Sequence, residues 1–379
     1  MIGRRGFLRA ASASWFVAAF APGISFARAP TDRRLVFIML RGGMDGLEAV
    51  MPVGDPAWSG IGGRQDPLPN PVALDGFFHL HANLARLVPL VAARELIVVH
   101  AVASPYRDRS HFDAQNVVET GGRRAYERKE GWLTRLVGAL GGDAGTAVAA
   151  ADRLPAALRG GPPFGAYPNP RLGMPEADLR ARLSRLWAGD PELAGIWDQA
   201  LQAERILAGL RGGSRVALAA HMLAHPEGPR IAMLETGGFD THSNQKYRLG
   251  HALRLLEQIL LELREGLGPH WKSTLVIAAT EFGRTVALGG AAGTDHGTGT
   301  AALLAGGALA GWGLSSPVVA DWPGLRPGQL LDNRDLRPTR DLRGVLLAAS
   351  ARHFGLDPRQ LSPVLFPDRA PVAPDPAFL

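Results

Sequence analysis

The tightest constraint on the fold is Thr274-Leu275-Val276-Ile277-Ala278-Ala279, an unbroken apolar run rich in β-branched residues. A strand that covers one face of a sheet alternates apolar and polar side chains. A run with no polar side is buried on both faces, as in a parallel sheet wrapped by helices. The run stops abruptly at Thr280-Glu281-Phe282-Gly283-Arg284-Thr285. After a Gly-rich loop the chain returns with Thr294-Asp295-His296-Gly297-Thr298-Gly299. Ligands of such sheets bind beyond the carboxyl ends of the strands, so this exit is a candidate site.

The pattern recurs along the chain. A strand over 34–40 exits into Arg41-Gly42-Gly43-Met44-Asp45-Gly46-Leu47, where two glycines permit a tight turn or close backbone approach. A strand over 95–102 leads to Ser104-Pro105-Tyr106-Arg107-Asp108-Arg109-Ser110-His111-Phe112-Asp113-Ala114-Gln115, and one over 230–234 to Glu235-Thr236-Gly237-Gly238-Phe239-Asp240-Thr241-His242. Further strands are expected near 146–150 and 301–305. Helical periodicity marks 78–92, 110–120, 247–266 and 341–354, and helices broken near Gly189-Asp190-Pro191 fill 175–210. The Pro/Gly-rich stretch 55–71 reads as loop. Alternating strands and helices predict an α/β fold, a doubly wound, mostly parallel sheet with helices on both faces. The carboxyl edges of the parallel strands then lie on one side, and the polar exits converge.

Residues 30–379 suffice for one such domain, with a helical insertion around 175–211. The chain has no cysteine, which excludes disulfides, thiolate zinc sites and a cysteine nucleophile. Its net charge of +6 owes much to Arg4, Arg5, Arg9 and Arg28, none matched by an acid within 1–29. Beyond them 37 basic residues face 35 acidic ones, which gives no argument for a nucleic-acid partner. Arg4-Arg5-Gly6-Phe7-Leu8-Arg9, a modestly apolar segment and Ala27-Arg28-Ala29 follow the order of a signal peptide and resemble a twin-arginine export signal. The expected location is periplasmic or secreted, with the twin-arginine translocase as a partner during export.

Asp240, His242, Glu281, Asp295 and His296 form an oxygen/nitrogen ligand set, with Asp45 a further candidate. Two imidazoles favour zinc or manganese as the divalent metal. Each residue also has a plain structural role open to it: the aspartates as turn formers, the histidines bonded to loop carbonyls, Glu281 paired with Arg284. Ser110 either caps the helix that follows, with Asp113 three residues on, or acts as a nucleophile where backbone N–H groups bind anions. His111 beside it is a second candidate catalytic residue. Arg41, Arg107 and Arg284 could grip an anionic ester through guanidinium forks. His79, His81, His221, His225, His251 and His353 lie in helical or loop contexts and read as structural or solvated.

Taken in order, these motifs resemble domain of unknown function family 1501, bacterial proteins commonly exported by the twin-arginine route. The resemblance spans about 35–366. It implies an alkaline-phosphatase-like fold, similar to a superfamily that places a nucleophile at a helix N-terminus after an early strand and metal ligands at strand exits. On that pattern Ser110 matches the nucleophile. Asp240 and His242 fall near the first late ligand pair, Glu281 near the next acid, and His296 near the last histidine. The chain departs from the superfamily at Arg41, where a metal-binding Asp is usual, and at Glu281-Phe282, where Asp-His is usual. Ser104-Pro105-Tyr106-Arg107 has its proline in the wrong place for a formylglycine sulfatase. The resemblance therefore implies an exported metal-dependent hydrolase or transferase acting on small phosphate-type esters through a serine. The alternative is a non-catalytic binding or assembly protein on the same fold. It also implies a partner of the domain of unknown function 1800 family.

Overall fold

A computed structural model describes residues 31–379 apart from 62–63, 65–70, 168–175, 191–192, 195–196, 199, 202–204, 207–209 and 211–212. The export signal expected at 1–29 lies outside the described residues. So does part of the helical stretch expected at 175–211, in which Ala177–Trp187 is a helix.

The strands in chain order are β1 (Arg34–Leu40), β2 (Val50–Met51), β3 (Val72–Ala73), β4 (His79–Leu80), β5 (Leu96–Ala103), β6 (Ala147–Ala149), β7 (Gly165–Ala166), β8 (Ile231–Thr236), β9 (Thr274–Thr280), β10 (Thr300–Ala305), β11 (Val318–Val319) and β12 (Arg340–Asp341). Nine of them form one sheet in the order β11-β5-β10-β9-β1-β8-β6-β7, with β12 also on β5. β1, at the centre, is parallel to both β8 and β9. The sheet is mixed: β10 runs antiparallel to β5 and β9. β2, β3 and β4 make a small separate sheet.

All residues of β1, β5, β9 and β10 are buried, as an apolar run without alternation requires. Their alternate side chains face opposite layers. Val36, Ile38 and Leu40 join a core with Leu249, Leu253, Leu256 and Leu260 of the Gln245–Leu267 helix. Those leucines recur every three or four residues, the spacing of one helix face. On the other side Phe37 meets the edge of Trp132, in the Trp132–Ala139 helix, at 5.3 Å. The His353 ring, in the Leu342–Phe354 helix, reaches the Arg34 carbonyl at 2.9 Å. The sheet is therefore covered on both faces.

The helix expected over 78–92 is divided. His79–Leu80 pairs as a strand, Ala82–Leu87 is a 3-10 turn, and an α-helix occupies Val88–Ala92. Pro89 has no N–H to donate to the preceding turn, so the α-helix starts beside it. Among the described residues no helix is long and apolar enough to cross a membrane.

Candidate functional site

Register brings the exits together. Leu40 of β1 pairs with Thr236 of β8 and with Thr280 of β9. Arg41, Gly237 and Glu281 therefore leave the sheet at one level. β10 opens at Thr300, opposite Val102 near the end of β5. Because it runs backwards, the segment feeding it (294–299) arrives at the same edge. The excursion between β9 and β10 is held closed by an Arg284–His296 bridge, by Gly297 N to Gly283 O at 2.8 Å and by Thr285 N to Asp295 O at 3.0 Å.

At this edge three ring nitrogens and one carboxylate oxygen gather. His111 Nε2 lies 2.9 Å from His296 Nε2 and 3.4 Å from Asp240 Oδ1. His296 Nε2 is 3.4 Å from the same oxygen. His242, the most solvent-exposed of the three histidines, adds its Nε2 at 2.9 Å from His296 Nε2 and 3.0 Å from Asp240 Oδ1. His111, Asp240 and His296 make up the compact, half-buried part of this group.

The partners behind the rings fix their tautomers. His111 Nδ1 meets Glu281 Oε1 at 2.8 Å, and His296 Nδ1 meets the Arg109 carbonyl at 2.9 Å. A carbonyl only accepts, and an ionised carboxylate only accepts, so both Nδ1 atoms carry hydrogen. Each neutral ring then turns an Nε2 lone pair toward the other and toward Asp240. His242 Nδ1 likewise faces Asp295 Oδ1 at 3.4 Å. A single proton can relieve one of these contacts and leaves the rest. A cation at the centre relieves all of them. Tetrahedral ligands 2.0–2.1 Å from a metal stand about 3.3 Å apart, and the edges of the His111–Asp240–His296 triangle are 2.9–3.4 Å. The residues fit a divalent ion.

The electrostatics agree. Burial pushes the Glu281 carboxyl up, but hydrogen bonds from His111, Gln115 and the Gly42 amide outweigh it and hold the group ionised below its ordinary range. The bond to Glu281 raises His111, against burial. Burial lowers His296. For Asp240 burial acts upward, but the buried Arg284 guanidinium at 3.0 Å prevails and lowers its pKa.

The structure distributes the expected residues unevenly. Asp240, His242 and His296 meet, with His111 among them rather than apart from them. Glu281 is fully buried behind His111 and reaches the facing atoms only through that ring. Asp295 is 74% exposed on the outer side of His242. Asp45 does not join the group. Its Oδ1 accepts the Glu48 amide at the start of the Gly46–Ala49 turn of helix, and its Oδ2 takes Arg64 Nη2 and Gln245 Nε2, both at 2.7 Å. Ser110 precedes the His111–Thr120 helix, but no side-chain hydrogen bond caps it. Asp113 instead accepts from the Tyr106 hydroxyl.

The three expected anion-binding arginines have partners inside the protein. Arg41 contacts Glu119, Glu235 and Gln115. Arg107 donates to the carbonyls of Ser104 and Tyr106. Arg284 is buried between Asp240 and Thr294. Arg64, Gln245 and Thr294, which sequence reasoning missed, complete a buried chain. Gln245 donates to Asp45 and accepts the hydroxyls of Thr241 and Thr294, and Thr294 accepts from Arg284, which holds Asp240. The only signal for Gln245 was its place three residues after His242, and Arg64 lies in the Pro/Gly-rich loop with none.

Residues 198–365 match the family model described as "Protein of unknown function". That family is DUF1501. The match includes the Asp240, Glu281 and His296 motifs, while the Arg41 and Ser110 motifs lie before it. Among solved structures, the chain is similar to an integral membrane protein, the lipooligosaccharide phosphoethanolamine transferase A (EptA) of Neisseria meningitidis. The identity is 12% over 80% of this chain and the TM-score 0.36. The chain spans 55% of EptA's length. It is also similar to the C-terminal periplasmic domain of EptC from Escherichia coli, solved in complex with zinc, at 10% identity, 76% of this chain, 78% of that domain and a TM-score of 0.37. No curated protein matches the sequence.

Proposed function

We propose that this DUF1501 chain is an exported, metal-dependent hydrolase or transferase acting on phosphate-type esters. The observation that carries the reading is the set of Nε2 lone pairs of His111 and His296, aimed at each other and at Asp240 with both Nδ1 atoms already used as donors. His111, Asp240, His242 and His296 would hold the ion, zinc or manganese by ligand type. Bound there, such an ion supplies Lewis-acid polarisation of an ester oxygen.

The chain's own residues do the rest. Glu281 keeps His111 in the tautomer that offers Nε2, as a carboxylate behind a metal-binding imidazole does. Arg284 keeps Asp240 ionised. Ser110, whose side chain does not cap its helix, supplies the attacking hydroxyl beside the first-turn N–H groups. Export by the twin-arginine translocase and a family 1800 partner belong to the same proposal.

The test is hydrolysis of a panel of phosphate mono- and diesters by zinc- and manganese-loaded protein and its Ser110→Ala variant. Metal-dependent turnover lost in the variant supports the reading. Equal turnover in both removes Ser110 from it. A second reading, a non-catalytic binding protein, draws on the internal pairing of Arg41, Arg107 and Arg284, and no turnover with any metal would favour it.

A further inference from the structure

If the three expected arginines are engaged elsewhere, an anionic substrate needs other cations. Two lie beside His296. Arg109 receives the His296 Nδ1 hydrogen on its carbonyl, and Arg334 donates Nη2 to the His296 carbonyl at 3.0 Å. Both guanidinium groups converge on one carboxylate, Asp335, which is fully buried. Arg109 Nη2 reaches Oδ2 at 2.8 Å and Arg334 Nη1 reaches Oδ1 at 3.2 Å, and Thr298 Oγ1 completes the set at 2.9 Å. Among the described residues the other acid paired with them is Asp332, 3.8 Å from Arg109 and 72% exposed.

One buried carboxylate cannot neutralise two guanidinium ions, and an exposed acid at 3.8 Å is screened by water. Both arginines are about one-third exposed, at 33% and 37%, so their outer N–H groups are within reach of a ligand. Arg109 Nε is buried with no hydrogen-bond partner. The backbone at Arg109 is left-handed, φ 60°, a conformation unfavourable for a residue with a Cβ. It is held where its carbonyl meets His296, one residue before Ser110. The arrangement is a pair of guanidinium groups fixed from behind by Asp335, tied to His296 through backbone carbonyls and each still partly open to solvent.

We propose that Arg109 and Arg334, fixed by Asp335, bind the phosphoryl oxygens of the substrate, in place of Arg41, Arg107 and Arg284. This rests on the reading that the site takes phosphate-type esters. Guanidinium forks match phosphate oxygens bidentately, which a lysine ammonium does not.

The experiment is calorimetric titration of inorganic phosphate into zinc-free and zinc-loaded protein, with zinc affinity measured in parallel. The Arg109→Gln, Arg334→Gln and double variants are compared with the unaltered chain. Each single change should weaken phosphate about tenfold or more, the worth of a hydrogen bond to a charged group, while zinc affinity shifts far less. Arg109→Lys and Arg334→Lys, which keep the charge facing Asp335, guard against misfolding. They should retain the melting temperature and still weaken phosphate. Unchanged phosphate affinity in the double variant, or no phosphate binding by the unaltered chain, overturns the proposal even if zinc binds. A chain that binds no zinc but loses phosphate in the double variant upholds the arginine pair and overturns the metal reading instead.

Discussion

Glu281 stands directly behind His111, its Oε1 2.8 Å from Nδ1, and is itself held by the Gly42 amide, Gln115 and Thr280. Glu281→Gln keeps the shape but can present its amide N–H to Nδ1, which favours the tautomer with hydrogen on Nε2. Metal affinity should fall about 10–100-fold, as for other carboxylates behind metal-binding imidazoles. Competition against a chromophoric chelator measures it. Affinity equal to that of the unaltered chain would show that the ring's orientation does not depend on Glu281.

Metal itself should stabilise the fold. A ligand at a hundred times its dissociation constant adds about 2.7 kcal/mol. Zinc or manganese should therefore raise the melting temperature, and a chelator should reverse the rise. His111→Ala and His296→Ala should abolish it, because their Nε2 atoms form the half-buried part of the cluster. His242→Ala, which removes the most exposed of the three rings, should leave a smaller rise. A metal response that survives His296→Ala would place the ion elsewhere.

Asp45 separates a ligand from a structural acid. It shares Arg64 with Glu48, whose pKa burial and the Asp45 charge raise. Arg64→Met leaves both acids buried without their cation, a change that costs about 3–5 kcal/mol when one partner of a buried pair is removed. Asp45→Asn should also destabilise the chain in urea, with metal affinity little altered. Loss of metal affinity without loss of stability would return Asp45 to the ligand set.

Acid should loosen the molecule through histidines outside the site. Burial lowers His81 and His100 to about 4 and His353 to about 3. His100 shows a second reason: Nε2 donates to the Val50 carbonyl and Nδ1 accepts the Ala101 amide, so the ring can gain a proton only at Nδ1 and only by losing that bond. In the unfolded chain these rings titrate near 6.5. The unfolded state therefore binds more protons below that pH. The stability these rings contribute is complete above about 6.5 and is lost as pH falls toward 4. For His100 the full span is about 3 kcal/mol. His100→Gln keeps a donor for Val50 and cannot titrate, so its urea midpoint should fall less between pH 7 and pH 5. An unchanged slope would remove His100 from the account.

The reach of sequence reasoning follows from what periodicity encodes. β1, β5, β9 and β10 were legible because a strand buried on both faces is almost wholly apolar, and β8 because its first four residues are. The direction of β10 was not legible, since an apolar run reads the same either way. Its reversal delivers 294–299 to the site. Strand exits marked the neighbourhood, and Asp240, His242 and His296, all at such exits, meet there. Ring orientation is set by partners distant in sequence, Glu281 for His111 and the Arg109 carbonyl for His296. His111 therefore could not be placed in the cluster from sequence, nor Glu281 behind it. The arginines illustrate the same limit: composition shows a cation, and only packing shows whether an internal acid already holds it.

Gly42 offers the last test, because it is where two strand exits nearly touch. Its φ is +117°, a region L side chains rarely adopt, and a Cβ there would lie 2.5 Å from the Asp240 amide nitrogen and 3.0 Å from the Phe239 carbonyl carbon. Both obstacles are backbone, so neither can rotate away. Gly42→Ala must therefore shift one exit or the other, and the shift falls on Asp240, whose Oδ1 faces all three histidines. Strain of this kind costs about 1–3 kcal/mol, and metal affinity should fall with it. Gly237→Ala is the control. It leaves the neighbouring strand opposite Arg41, one residue before Gly42, and its Cβ would meet nothing nearer than the Arg41 carbonyl at 3.8 Å. It should leave both melting temperature and metal affinity close to those of the unaltered chain. If Gly42→Ala is as well tolerated as Gly237→Ala, the close approach of the β1 and β8 exits does not position Asp240.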